Sequence, residues 1–293
     1  MNEQRSFSKE REDEGRISLV PTPIGNLDDM TYRAVKTLQE ADVIAAEDTR
    51  HTKKLSHVFE ITTPLVSYHE HNRHYRGEEL LERVRNGEHV ALVSDAGMPA
   101  ISDPGADLVK EAKAEGLTVV ALPGANAALT ALIASGLSTE SFTFAGFVER
   151  KKKQRKEILA SWKGTPSTLI FYESPHRLKD MLQAAADVFG DRQAAVGREM
   201  TKQYETVVTG TLSELVEWAE GEIKGECVLL IAGASEADQE EAREETWWEK
   251  LDIIDHVETY VKQGQSAKQA IKAAALDRGV PKREVYQAYH VDK

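Results

Sequence analysis

Between Ile17 and Gly136 the chain alternates short apolar, β-branched runs with amphipathic stretches, and this alternation narrows the fold more than any other feature. "ISLVP" precedes "TYRAVKTLQEA", "DVIAAE" and "PLVSYH" precede "RGEELLERVRNG", "HVALVS" precedes "ADLVKEAKAEG", and "TVVALP" precedes "NAALTALIASG". Strands that alternate with helical patterns imply a mostly parallel sheet covered by helices on both faces. After "SFTFAGF" and a charged helix a second set begins: "STLIFYE", "SPHRLKDMLQAAADVFG", "QAAVGRE", "YETVVTG" and "GECVLLIAG". Here strands follow one another without helices between them, which predicts a mixed sheet. The expected fold class is therefore α/β, with a mostly parallel N-terminal sheet and a second, mixed-sheet domain.

At 293 residues the chain exceeds one small core. It divides into a charged tail (1–16), a first α/β domain (17–138), a second (139–234), and an acidic linker with a C-terminal helical module (235–293). The linker "SEADQEEAREETWWE" carries seven acidic residues against one Arg and reads as solvated linker or exposed helix. Beyond it, "SAKQAIKAAALDRGVPKREVYQAYHV" predicts two short helices around "RGVPKRE", starting near Ser266 and Pro281, a helix-turn-helix-like pair. Such a pair serves either as a small helical add-on packed against the body or, less often, as a DNA reader.

No apolar run approaches the roughly 18 residues that span a bilayer, and the N-terminus lacks the apolar segment of a signal peptide, so no membrane association and a cytoplasmic location are expected. The lone cysteine, Cys227, sits within an apolar strand and reads as a small core residue. A net charge of −12 excludes a protein whose whole surface embraces nucleic acid but leaves room for a local basic patch. No Gly-x-Gly and no Gly-Lys-Ser/Thr is present, which removes dinucleotide and P-loop readings. "SYHEHNRH" imitates a zinc helix, but Arg73 stands where the second His should be, so no metal is expected.

The stretch "SDAGMPAISDPG", residues 94–105, spends twelve residues where a strand-to-helix turn needs about two to six. Ser94 and Asp95 end a strand, Gly97 permits close backbone approach, and Ser102 or Asp103 is expected to cap a helix with Pro104 in its first turn. Ligands in open α/β sheets bind beyond the carboxyl ends of strands, where this loop falls. "VPTPIGNLDD", "LPGANAAL" and "FYESPHR" are three more loops of that kind, which together imply one ligand cleft.

At these residues the sequence resembles the tetrapyrrole-methylase superfamily of S-adenosylmethionine (SAM)-dependent methyltransferases. Within it, "LVPTPIGNLDDMTYRA", "AAEDTRHTKKL", "SYHEHN", "VSDAGMPAISDPG", "LPGANAALTALIASG", "FYESPHR" and "GREMTKQYE" are similar to the branch that acts on ribosomal RNA of the small subunit. The resemblance runs from Ile17 to about Ala232 and is expected to continue into the C-terminal helices. It implies a homodimer that uses SAM as methyl donor and methylates the ribose 2′-oxygen of a decoding-centre cytidine in 16S rRNA. It implies SAM contacts from Pro23, Ser94, Asp95, Gly97, Ile101 and Ser102, with Leu122, Tyr172 and Glu173 as walls. A methylase of a small tetrapyrrole or protein side chain, and an RNA-binding assembly factor without activity, are the alternatives.

RNA requires a cationic path. "ERKKKQRKE" (149–157) holds six basic residues; Arg150, Lys151, Lys152, Lys153 and Arg155 are the expected phosphate contacts, continued by Arg50 and Lys53. A ribose hydroxyl is a poor nucleophile, so a carboxylate or neutral His beside it assists transfer. "AAEDTRH" places Glu47 and Asp48 at the carboxyl end of a strand; His69 is the alternative base. Equally, Asp48 or Thr49 caps the next helix and Glu47 pairs with Arg50.

Overall fold

In this computed structural model the described residues are 3–4, 14–245 and 247–290. Most of the tail expected over 1–16, and the last three residues of the C-terminal segment, lie outside them. The chain forms two units: Met1–Ala160 with Ser167–Ala232, and Ser161–Pro166 with Gly233–Lys293.

The first unit opens with β1 (Arg16–Leu19), α1 (Tyr32–Glu40), β2 (Val43–Ala46), α2 (Thr49–Val58), β3 (Leu65–Ser67), α3 (Arg73–Arg85), β4 (His89–Val93), α4 (Ala106–Ala114), β5 (Thr118–Ala121) and α5 (Ala127–Ser135). The five strands pair in the order β3-β2-β4-β1-β5, all parallel. Successive residues of one strand enter opposite cores: Val43, Ala45, Val90 and Leu92 join one, while Ile44, Ala46, Ala91 and Val93 join the other. Both faces are covered, so these strands read as unbroken apolar runs rather than alternating ones. One polar pair interrupts this interior, where Ser18 Oγ lies 2.8 Å from His89 Nε2 across β1 and β4. Burial, and then the nearby Arg16 charge, depress the His89 pKa to about 4.

The second sheet follows: β6 (Phe142–Phe147), α6 (Lys152–Ser161), β7 (Thr168–Glu173), α7 (Pro175–Phe189), β8 (Gln193–Arg198), β9 (Thr206–Thr211), α8 (Leu212–Trp218) and β10 (Cys227–Ile231). Its order is β6-β7-β10-β8-β9, with β6 and β7 parallel and the other neighbours antiparallel. The mixed character expected from consecutive strands is thus present. α5, though last in the first alternation, packs Ala128, Ala131 and Leu132 against Ile170, Ala195, Val228 and Leu230 of this second sheet. That packing holds the two sheets in one unit.

In the second unit α9 (Glu236–Glu245), α10 (Ile253–Lys262), α11 (Ala267–Asp277) and α12 (Lys282–His290) follow. The last three enclose a small core of Val257, Ala270, Ile271, Ala274, Ala275 and Val285. Ser266 and Pro281 immediately precede α11 and α12, as the spacing predicts. His256 is fully buried, stacked on Trp248 at an interplanar angle of 4°, and its Nδ1 accepts from Arg278 Nε at 3.0 Å.

One expected helix start is corrected. α4 begins at Ala106 with Gly105 as its N-cap, so Pro104 precedes the helix and neither Ser102 nor Asp103 caps it. The reason is local backbone geometry: Ala100 (φ 68°), Ser102 (φ 61°) and Gly105 (φ 132°) all have positive φ, which keeps the chain from entering the helix earlier.

Candidate functional site

Loops from the carboxyl ends of β1, β2, β4 and β5 converge with the second sheet around a cavity of about 470 Å³. The long loop after β4 is fastened from below. Thr22 N–H donates to Gly97 O (2.9 Å) and Gly97 N–H to Thr22 O (3.0 Å), a two-way bridge between the loops that follow β1 and β4. Ser94, 3% exposed, donates its hydroxyl to Gly97 O at 3.3 Å, and Thr22 Oγ1 donates to Ser94 O at 3.2 Å. Gly97 itself has φ 78°, and a Cβ there would stand 3.2 Å from Ile24 Cγ2 and 3.5 Å from Ala125 O. Left-handed backbone at Ala100 and Ser102 costs about 1–2 kcal/mol each and survives because the surrounding structure imposes it, a pattern concentrated at binding sites.

Three carboxyl groups mark the floor. Glu47, Asp95 and Asp103 all line the cavity. Burial raises the Glu47 pKa, and the negative charges of Asp103 and Asp95 raise it further. Burial likewise raises that of Asp103, opposed by a hydrogen bond from Ser94. Asp95 is fixed by Asp48 N–H, which donates to its Oδ1 at 3.0 Å. Such a cluster favours a cation.

The opposite wall is aromatic and apolar. Tyr172 meets Phe144 edge-on (5.0 Å) and Phe147 at a tilt (5.6 Å). A bulge in β6 between Phe144 and Gly146 shifts the register against β7, and Phe147, 61% exposed, lines the cavity two residues beyond Ala145. Glu173, 3% exposed, also lines it. Its Oε1 accepts from Ser174 N–H (2.8 Å), while Oε2 lies 3.3 Å from Arg177 Nη2 without hydrogen-bond alignment. Burial raises the Glu173 pKa despite these partners.

Of the expected donor contacts, Asp95, Gly97, Ile101, Ser102, Tyr172 and Glu173 line this cavity. Pro23 and Ser94 line a smaller one, about 250 Å³, together with Thr22 and His51; Asp95 borders both. Leu122 does not reach either cavity: it is 2% exposed within the core of the first sheet.

Glu47 and Asp48 have parted roles. Asp48 caps α2 through Arg50 N–H (2.8 Å) and takes a bidentate pair from Arg50, Nε to Oδ1 at 3.0 Å and Nη2 to Oδ2 at 2.7 Å. Those hydrogen bonds hold its carboxyl far below the ordinary range and engage both of its oxygens. The ion pair expected between Glu47 and Arg50 is formed by Asp48 instead, leaving Glu47 on the cavity wall. His69 lines neither cavity; its N–H donates to Asn72 Oδ1 at 2.8 Å and its ring meets His71 edge-on at 6.0 Å.

Arg150, Lys151, Lys152 and Lys153 are exposed, as are Arg50 and Lys53. Arg155 departs from its neighbours: it is 5% exposed, and its Nη2 donates to Arg150 O at 3.0 Å. It closes the turn into α6 rather than offering a phosphate contact. Among the described residues no cluster of His, Cys, Asp and Glu could hold a metal ion, and no helix is long and apolar enough to cross a membrane.

Ile24, Met98, Asp103, Asn126, Phe147, Met200 and Val228 also line the cavity, although the sequence does not mark them as ligand contacts. Asp103 is legible as part of the "SDPG" loop; the apolar ones look like any core residue.

Residues 16–216 match the family model described as Tetrapyrrole (Corrin/Porphyrin) Methylases. The chain is 55% identical over 292 residues to a Bacillus subtilis protein named ribosomal RNA small subunit methyltransferase I, covering 99% of each chain. It is 55% identical over 291 residues to a protein of the same name from Halalkalibacterium halodurans, again covering 99% of both. Among solved structures it is similar to a diphthine synthase (TM-score 0.59, 16% identity, 78% of this chain and 95% of that one). It is also similar to a uroporphyrin-III-C-methyltransferase from Thermus thermophilus (TM-score 0.55, 20% identity, 75% and 94%).

Proposed function

The chain belongs to the tetrapyrrole (corrin/porphyrin) methylase family, and from that premise we propose that it transfers a methyl group from SAM to the ribose 2′-oxygen of a decoding-centre cytidine in 16S rRNA. The observation that carries the RNA substrate is a likeness extending over the whole chain, terminal helices included, to relatives named for small-subunit ribosomal RNA.

The cavity residues fit the donor. SAM supplies a methyl group activated by a positively charged sulfur. Glu47, Asp95 and Asp103 give the cavity the negative field that such a cation requires, and Gly97 leaves the space a side chain would fill. Ile101, Met98, Phe147 and Tyr172 furnish apolar walls for an adenine and exclude water from the displacement. The hydroxyl proton passes to the Glu47 carboxylate in this reading, which is supported by its place on the cavity wall and by the burial and neighbouring negative charge that make it a stronger base than an exposed glutamate. The exposed cations Arg150, Lys151, Lys152 and Lys153 neutralise phosphates, with Arg50 and Lys53 extending the surface. α5 leaves Leu129 45% and Ile133 76% exposed one turn apart, an apolar patch that supports a homodimer. A ribosomal RNA substrate implies action in the cytoplasm.

The test is transfer of labelled methyl from SAM to small ribosomal subunits, followed by alkaline hydrolysis. A 2′-O-methyl group blocks cleavage at its own phosphodiester, so label must appear in an alkali-resistant dinucleotide. Label in mononucleotides would move the reaction to a base, and no label in RNA would reject the substrate.

A further inference from the structure

The donor cavity and the α6 run leave the terminal helices without a task, yet the surface from the end of α10 through α12 differs from that of the acidic α9 and the start of α10. Over residues 262–290 five cations are exposed, Lys262, Lys268, Lys272, Lys282 and Arg283, against one exposed carboxylate, Glu284, in a chain whose net charge is −12. Among the described residues none of the five has an ion pair or side-chain hydrogen bond. Elsewhere surface cations are commonly compensated, as in Arg73–Asp107 (3.0 Å), Arg85–Glu115 (2.7 Å) and Lys202–Glu226 (2.9 Å).

The uncompensated charges are ordered by the helices. On α11, Lys268, Lys272 and Leu276 follow at intervals of four and share a face; Leu276 is 82% exposed. On α12, Lys282, Tyr286 and His290 follow at the same interval, and Arg283 lies three residues from Tyr286. Tyr286 is 53% exposed, and its ring centroid is 4.5 Å from that of His290. Glu284 is offset by about 100° from Arg283 around the helix, so it does not neutralise this stripe. Lys282 and Arg283 also occupy the first turn of α12, where the helix dipole disfavours cations and favours a bound anion. Cations held against the dipole, interleaved with exposed aromatic rings, fit a phosphate backbone with bases available for stacking.

We propose that the exposed faces of α11 and α12 form a second RNA-binding surface, centred on Lys268, Lys272, Lys282, Arg283 and Tyr286, which binds the backbone of ribosomal RNA. This rests on ribosomal RNA being the substrate. It assigns the helix-turn-helix-like pair to the electrostatic part of substrate affinity and gives it no part in donor binding.

The test compares the full-length protein with a variant carrying Lys268→Ala, Lys272→Ala, Lys282→Ala and Arg283→Ala. Affinity for small-subunit ribosomal RNA is measured from low to high salt, with SAM affinity by calorimetry and methyl incorporation alongside. RNA affinity should fall tenfold or more at 150 mM salt. The slope of log affinity against log salt should flatten by about 3, since each phosphate that one of the four cations neutralises contributes about 0.7–0.9 to it. SAM affinity should not change. Tyr286→Ala, which removes no charge, should weaken binding several-fold at an unchanged slope. Should the fourfold variant lose its helical signal, the single reversal Lys272→Glu replaces it, with a several-fold loss expected. A variant whose salt slope and affinity equal those of the wild type overturns the proposal, and so does weaker binding at an unchanged slope in the fourfold variant, which removes phosphate neutralisation as the role of these cations. If the wild-type protein neither binds nor methylates RNA, the substrate assignment itself falls and takes this surface with it. Methylation by the wild type with no change in the variant removes this surface alone.

Discussion

The two sheets that border the cavity contribute to it by different means. Besides the carboxyl groups of Glu47, Asp95 and Asp103, the first supplies a backbone frame: a loop with four positive-φ residues, a glycine whose φ of 78° and 3.2 Å approach to Ile24 leave a side chain strained and crowded, and a main-chain bridge from Thr22 to Gly97. The second supplies side chains, chiefly Phe147, Tyr172 and Glu173, set on strands by ordinary pairing and one bulge. Shape made of backbone tolerates almost no substitution, whereas a wall made of side chains can be altered in degrees. The first side should therefore respond to mutation by loss and the second by graded weakening.

The largest effect is expected at Gly97. A β-branched residue at φ 78°, with 3.2 Å to Ile24 Cγ2, must displace the loop, so Gly97→Val should reduce SAM affinity by at least a hundredfold while circular dichroism stays native. Normal calorimetric binding in that variant would mean that the loop does not shape the donor site. Next is Glu47→Gln, which keeps size and should slow single-turnover transfer by roughly a hundredfold, at the lower range for a general base, with donor affinity changed only modestly. Asp48→Asn, whose carboxylate is occupied by Arg50, should stay within a few-fold of the wild type. Equal rates for both variants would leave positioning as the source of rate.

The first sheet also carries a titrating group in its interior. His89 has a folded pKa of about 4 against 6.5 unfolded, so between these values the unfolded chain binds the extra proton. Stability attributable to this group is complete above about pH 6.5 and is lost as pH falls toward 4; between pH 7 and 5 the loss is roughly 2 kcal/mol. Urea unfolding at the two pH values measures it, and His89→Gln should flatten the difference. The smallest effect belongs to the second sheet: Phe147→Leu keeps an apolar wall and should weaken SAM binding by only a few-fold. A collapse there as complete as at Gly97 would erase the contrast between the two sides.

Much of this is readable from residues alone, for identifiable reasons. Strands buried on both faces leave unbroken apolar runs, and a twelve-residue connection rich in Gly, Pro and Asp cannot be a simple turn, so both sheets and the principal loop are legible. The start of α4 is not, because Ser102, Asp103 and Pro104 each favour a helix entrance locally, and tertiary contacts override them with left-handed backbone at Ala100 and Ser102. Arg155 carries the same charge as its neighbours; only its helical phase with Leu159, four residues on and also buried, distinguishes it. The division of labour between Glu47 and Asp48 depends on which carboxylate Arg50 reaches, and adjacency in sequence does not decide that.

Residues 161–166 belong with the terminal helices, not with the sheets that flank them in sequence. Ala234 N–H donates to Thr165 O at 2.7 Å, and Lys163 pairs with Glu241 at 3.3 Å. The chain consequently passes between the two units three times. A gene truncated after codon 232 would discard the helices yet retain a six-residue piece of their unit, with the Thr165 carbonyl stripped of its partner. The terminal helices are thus no cassette that could be spliced on or cut away in one event: exchange of their whole unit with another protein would require three coordinated breakpoints, two of them inside the methylase sequence itself.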